Sequence, residues 1–201
     1  DIDVHGDHLE VVASSVGQVQ LIFSILHGDH SDFDAPPLEV EVTDPTVLDI
    51  SKLTGTVAYV CEYNDGDNDE LCLMGAYGAG SRRITENDGP DRAPTWSPDG
   101  ARLVFNSRRA PHADRPQIYV YDVATSGVTR VSDGPLEDQR ASWTPNGAEV
   151  VFQRGNFTIG YELFRQHIAN GTLVQLTDNA GKINAAGSYS PDGTRLVLQS
   201  N

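Results

Sequence analysis

Apolar residues recur along this chain in short runs, each bounded by Gly, Pro, Asn, Asp or Ser. Residues 117–122 (Gln-Ile-Tyr-Val-Tyr-Asp) alternate as a half-buried strand should. Residues 102–105, 149–152 and 195–198 are compact strand-like runs, and residues 82–85, 128–132 and 173–177 predict shorter ones. Upstream, residues 9–14, 18–26 and 38–43 also predict strands. The longest apolar run, residues 19–26, is broken by Gln20 and Ser24 and falls far short of the roughly 18 apolar residues of a membrane helix. The pattern is that of an all-β chain.

The runs repeat. Ser97-Pro98-Asp99-Gly100 returns as Thr144-Pro145-Asn146-Gly147 and as Ser190-Pro191-Asp192-Gly193, with an aromatic before each: Trp96, Trp143, Tyr189. The last glycines are 47 and 46 residues apart. Proline presets φ near −65° in such a turn, Asn or Asp tolerates the next position, and Gly accepts the positive φ that closes it. A degenerate copy, Lys52-Leu53-Thr54-Gly55, precedes a run at residues 57–63. Asp88, Asp133 and Asp178 recur 45 apart and predict side-chain-to-backbone turn bonds. Four short strands per unit of about 46 residues is the period of a propeller blade.

The turn at residues 96–100 (Trp-Ser-Pro-Asp-Gly), the strand at 118–122 (Ile-Tyr-Val-Tyr-Asp) and the strand at 128–132 (Val-Thr-Arg-Val-Ser) together resemble the blade repeat of TolB-like β-propellers. The resemblance covers residues 46–201 and is strongest over 92–201. It implies an all-β propeller of about four four-stranded blades. Fold does not give function, because such blades occur in Tol-Pal periplasmic proteins, in prolyl oligopeptidase-like enzymes, in polysaccharide lyases and in other secreted proteins. The family usually has six or more blades, and here the last unit stops after its second strand. Three expectations stay open: residues 1–45 close the propeller, the chain is a fragment of a longer one, or its open edge takes a strand from a neighbouring subunit.

Charge divides the chain in the same way. Residues 1–51 hold 11 acidic residues and no Lys or Arg; the remainder holds 18 acidic and 14 basic residues. The formal net charge of −15 argues against nucleic acid, which needs clustered cations. We therefore divide the chain into an acidic strand segment at 1–45 and blades at 46–201. Beginning at Asp1 without a visible leader is what a mature, processed form would show.

Candidate chemistry is sparse. Cys61 and Cys72 flank a short turn, so a disulfide across a hairpin is expected, and with it an extracytoplasmic home; two buried thiols are the alternative. Asn156 and Asn170 each begin an N-glycosylation triplet. His5-Gly6-Asp7-His8 and His27-Gly28-Asp29-His30 repeat one motif whose imidazoles and carboxylates (His5, Asp7, His8, His27, Asp29, His30) suit a transition metal if the two copies converge. Asp65, Asp67, Asp69 and Glu70 alternate through a turn in a way that suits calcium, without the glycine or distal Glu of an EF-hand loop. Arg108, Arg109, His112 and Arg115 form one basic cluster, a candidate docking site for an acidic partner. No nucleophilic elbow or phosphate loop is present, and no catalytic residue is expected. The expected function is a non-enzymatic extracytoplasmic binding module for a protein partner. The alternative is a structural subunit of a filament joined through sheet edges and supported by a divalent metal, the one cofactor the sequence suggests.

Overall fold

The computed structural model describes residues 54–61, 68–111, 113–178 and 182–200 with their side chains, apart from Ala186, together with the backbone of Glu62, Ala186 and six short strands upstream. Those strands are β1 (Ile2–His5), β2 (His8–Val11), β3 (Gly17–Leu21), β4 (Ser24–His27), β5 (His30–Asp34) and β6 (Leu38–Val42). They form three antiparallel ladders, β1–β2, β3–β6 and β4–β5. The expected run at 18–26 is thus two strands that pair with different partners. Each His-Gly-Asp-His motif spans a hairpin, with His5 opposite His8 and His27 opposite His30 in separate ladders. The side chains of both motifs lie outside the described residues, as do Asp65, Asp67 and His112.

Downstream the blades follow. β7 (Thr56–Glu62), β8 (Asp69–Gly75) and β9 (Arg82–Arg83) form one three-stranded sheet. β10 (Asp91–Trp96), β11 (Arg102–Ser107), β12 (Gln117–Asp122) and β13 (Val128–Arg130) form a four-stranded blade in sequence order. β14 (Glu137–Trp143), β15 (Glu149–Asn156), β16 (Gly160–His167) and β17 (Leu173–Gln175) repeat it, and β18 (Asn184–Tyr189) with β19 (Leu196–Ser200) begins another. All pairings between named strands are antiparallel. Among the described residues there is no helix, and hence none long and apolar enough to cross a membrane.

The chain divides into two compact units, one of residues 1–59 and 72–82, the other of residues 60–71 and 83–201. In the first, Gly55 O accepts from Ala76 N and Ala79 O from Gly75 N. In the second, the core lies between neighbouring blades. Val104, Ile118 and Val120 of one pack with Ala141, Trp143, Val150 and Phe152 of the next. Burying each such side chain contributes about 1.5–3 kcal/mol, which a single blade with two apolar faces cannot obtain alone.

The turn chemistry is as expected and repeats atom for atom. Ser97 Oγ donates to Asp99 Oδ1, which also accepts from Ala101 N at 3.1 Å. Thr144, Asn146 and Ala148 make the same pair of bonds, as do Ser190, Asp192 and Thr194. The glycine φ angles are +68°, +67° and +71°. The serine hydroxyl and then the backbone N–H hold the Asp99 and Asp192 carboxyls below the ordinary range. Their contribution to stability is therefore present above the unfolded carboxylate pKa and is lost as pH falls through the lowered values. The Asn146 turn has no such dependence. In a carboxyl NMR titration, Ser97→Ala moves the Asp99 midpoint back toward the ordinary range.

Each blade's first strand carries a bulge at one place, between Arg92 and Thr95, Gln139 and Ser142, and Ala185 and Ser188. It puts Ala93 and Arg140 at φ of +55° and +52°, so the strained conformation belongs to the blade and not to one residue.

Candidate binding surface at the loop end of the blades

Antiparallel register places two sets of connections at opposite ends of each blade. The Ser-Pro-Asp-Gly turns join strands one and two at one end. The described loop residues 108–111, 113–116, 133–136 and 157–159 lie at the other.

Just beneath that loop end, a buried polar joint repeats between blades. Thr85 Oγ1 accepts from Leu71 N at 2.8 Å and donates to Glu70 Oε2 at 2.7 Å. Ser132 does the same for Ile118 N and Gln117, and Thr177 for Leu163 N and Glu162. Two of the joints then reach the first strand of the next blade, and the third reaches the loop before it. Asn87 donates to Asp91, Gly134 N donates to Gln117, and Asn184 donates to Glu162. Glu70 is buried and accepts from Asn87 N at 2.8 Å as well. Its carboxylate therefore belongs to this joint, which is a different role from the calcium ligand that the acidic turn suggested. Asp69 instead pairs with Arg92. Among the described residues no group of three or more His, Cys, Asp and Glu is placed to hold a metal.

Two of the joints contain a buried ion pair. Asp138 is fully buried and accepts two bonds from Arg154, at 2.6 and 2.7 Å. Asp91, equally buried, takes Arg109 Nη2 at 2.6 Å. Burial pushes the Asp91 carboxyl up, while Ser107, Arg109 and Thr85 pull it down. Both guanidiniums lie on paired rings, Arg154 on Phe152 and Phe164 and Arg109 on Phe105 and Tyr119. Arg109 was expected to serve a partner; the structure places it inside the protein's own packing. Arg115 pairs with Asp114 and Arg108 lies 3.8 Å from Glu137. Sequence reading missed Asp91, Asp138 and Asn184, although their spacing of 47 and 46 residues repeats as regularly as the turns do.

At the surface, one hairpin stands out. Phe157 is 90% exposed and Ile159 53% exposed, at the turn joining β15 to β16. The turn is held from within: Asn156 Oδ1 accepts from Thr158 N and Ile159 N. Phe157 meets Tyr161 edge-on, with ring centroids 5.8 Å apart. Tyr161 Oη donates to Glu137 Oε2 at 3.1 Å, and the phenol is pushed up to about 12 by burial and then by Glu137. Asn170, in the next turn, accepts from Thr172 N and is exposed. Gly160, with φ of +88°, lies so close to Lys182 that an added Cβ would sit 2.2 Å from the Lys182 carbonyl oxygen. Gly160→Ala is expected to lower stability by about 1–3 kcal/mol in urea unfolding, with the hairpin displaced.

The blades, the turn chemistry and the recurring joints agree with a match to the TolB beta-propeller domain over residues 54–201. The chain belongs to this family. A TolB homologue of Chlorobium luteolum is 35% identical over 71 residues, which are 35% of this chain and 15% of that protein. TolB of Acinetobacter baumannii superposes on 70% of this chain with a TM-score of 0.57 at 24% identity, covering 34% of its own length. A TolB-related structure from Agrobacterium tumefaciens aligns with 98% of this chain and 66% of its own, with a TM-score of 0.66 at 20% identity. The chain thus spans only part of these relatives. An oligogalacturonate lyase in complex with manganese shares the fold at a TM-score of 0.56 and 20% identity. Within the TolB-type sheets Cys61 and Cys72 are disulfide-bonded, as expected, and no described cysteine is free.

Proposed function

We propose that this chain is a non-enzymatic, extracytoplasmic protein-binding module that engages its partner through the loop end of the blades. The observation that carries this reading is Phe157, almost fully exposed yet fixed by the Asn156 turn and the Tyr161 ring. A pre-organised aromatic at a surface tip is a typical interface anchor. A binding role, as against catalysis, is supported by the joints beneath it: the carboxylates of Glu70 and Asp138 are spent on hydrogen bonds and a guanidinium within the blades. The disulfide supports an oxidising compartment.

The test is a photo-crosslinking amino acid placed at position 157 and, separately, at position 99 on the opposite end, with the full chain expressed in its own cells. A defined protein adduct at 157 and none at 99 is the expected result. Adducts at neither position overturn the reading.

One observation favours self-association as a second reading. Val197 of β19 is 68% exposed, whereas its counterparts Val104 and Val151 are fully buried. A neighbouring subunit that adds a strand beside β19 and packs a blade over its face would cover it. Metal support falls to the two His-Gly-Asp-His motifs or to Asp65 and Asp67, since Glu70 and Asp69 are engaged elsewhere. Light scattering over a range of concentrations, with and without EDTA, tests this: a constant monomer mass sinks it.

A further inference from the structure

The hairpin tip at Phe157 has cationic neighbours that the rest of the molecule does not lead one to expect. Arg108 reaches within 3.8 Å of Glu137, yet its side chain remains 45% exposed. Arg140 is exposed, and its charge acts on the Tyr161 phenol, opposing the upward push of Glu137. Lys182 is exposed, and its backbone carbonyl accepts from Tyr161 N at 3.0 Å. Among the described residues neither Arg140 nor Lys182 has a carboxylate partner. Three cationic residues are thus linked to Tyr161, directly or through Glu137, and Tyr161 in turn meets Phe157 edge-on, on a chain whose net charge is −15 and which contains two lysines in all.

The blade architecture does not require this cluster. Strand register makes Ala93 the counterpart of Arg140 and Pro116 the counterpart of Tyr161 in the preceding blade. Pro90 and Leu136 likewise stand where Glu137 and Lys182 do. The same bulge, at the same φ, is thus built with a methyl group in one blade and a guanidinium in the other. Side chains that the fold can replace by Ala, Pro and Leu are free to serve a ligand. Glu137 is already shared by Tyr161, Gln139 and Arg108, so it only partly offsets the three cations.

We infer that this surface receives an acidic peptide segment of the partner, an extended stretch in which carboxylates flank an aromatic or branched apolar residue. The apolar residue packs against Phe157 and Ile159. The flanking carboxylates meet Arg108, Arg140 and Lys182, where a guanidinium offers paired N–H donors. An aromatic anchor beside arginines is the composition of an interface hot spot. Nucleic acid fits less well, since three cations form no track and the remaining surface repels phosphate. The inference rests on the binding-module reading and specifies the chemistry of the partner.

The probe is a synthetic peptide with Asp-Phe-Asp in a Gly/Ser frame, titrated into the full chain and followed by fluorescence anisotropy at low salt. Lys-Phe-Lys and Asp-Ser-Asp peptides serve as controls. Saturable binding of the first peptide alone is expected, weakened about tenfold by Phe157→Ala and about tenfold by Arg140→Ala. Arg140→Ala reproduces the residue found at the same bulge in the preceding blade, so the variant is expected to fold. Raising the salt to half-molar should weaken binding, because the cations are exposed. Absence of binding, or binding that both variants leave unchanged, overturns the inference. The two readings can fail separately. An adduct at position 157 without peptide binding removes the acidic partner and keeps the module. Peptide binding without any adduct keeps the surface chemistry and removes the module.

Discussion

Replacing Arg154 with methionine should lower the unfolding free energy by about 3–5 kcal/mol, because it strands a fully buried carboxylate at Asp138. The desolvation of Asp138 is offset by two short guanidinium bonds, and the guanidinium itself lies over Phe152 and Phe164. The following blade shows what a neutral version looks like. At the same register Asn184 stands opposite Ser200, where Asp138 stands opposite Arg154. The double variant Asp138→Asn, Arg154→Ser therefore removes both charges together. It should recover much of the loss, leaving mainly the volume that the guanidinium filled. Urea unfolding of Asp138→Asn, of Arg154→Ser and of the double variant gives the coupling energy directly. A coupling near zero would mean that the pair contributes no more than an exposed ion pair, and this account of the joint would be wrong.

Phe152→Ala should cost a similar amount, about 3–5 kcal/mol, for a different reason. Phe152 is fully buried, stacks near Phe164 and packs across the interface to the preceding blade. Truncation leaves a cavity bounded by two blades, neither of which can close it without breaking its own ladder. The internal control is Leu198, the counterpart of Phe152 in β19, which is only half-buried. Leu198→Ala should cost markedly less. Equal losses at the two positions would show that β19 is covered in solution, which would favour strand addition at that edge.

The elements differ in how plainly the sequence announced them. The Ser-Pro-Asp-Gly turns were legible as tight turns closed by a positive-φ glycine, because everything that forms them joins residues no more than five apart; the serine-to-aspartate bond inside them came only with the structure. The strands that follow were legible by alternation, although β9, β13 and β17 proved shorter than the runs that predicted them. The disulfide was legible as two cysteines across a hairpin. The buried acids were not. Asp88, Asp133 and Asp178 attracted notice by their spacing, while the buried carboxylates that hold guanidiniums are Asp91 and Asp138 a few residues later. Their immediate neighbours do not distinguish them, since the arginines that pair with them come 18 and 16 residues later, at or just past the next strand of the same blade.

The guanidiniums show this limit best. Arg154 stands directly opposite Asp138, but the residue opposite Asp91 is Ser107, and the guanidinium there comes from Arg109, two residues further along. An alignment at constant period would therefore miss that the two arginines fill the same place. By itself the sequence determined the all-β class, the blade period, the turns and the uneven charge, all of which depend on neighbours within a few residues. The tertiary structure alone decided which acids are buried, that Glu70 holds a joint and that Phe157 stands exposed beside Tyr161. Burial and charge pairing depend on contacts between residues far apart in the chain, and one blade's residues acquire their environment only when the next blade is in place.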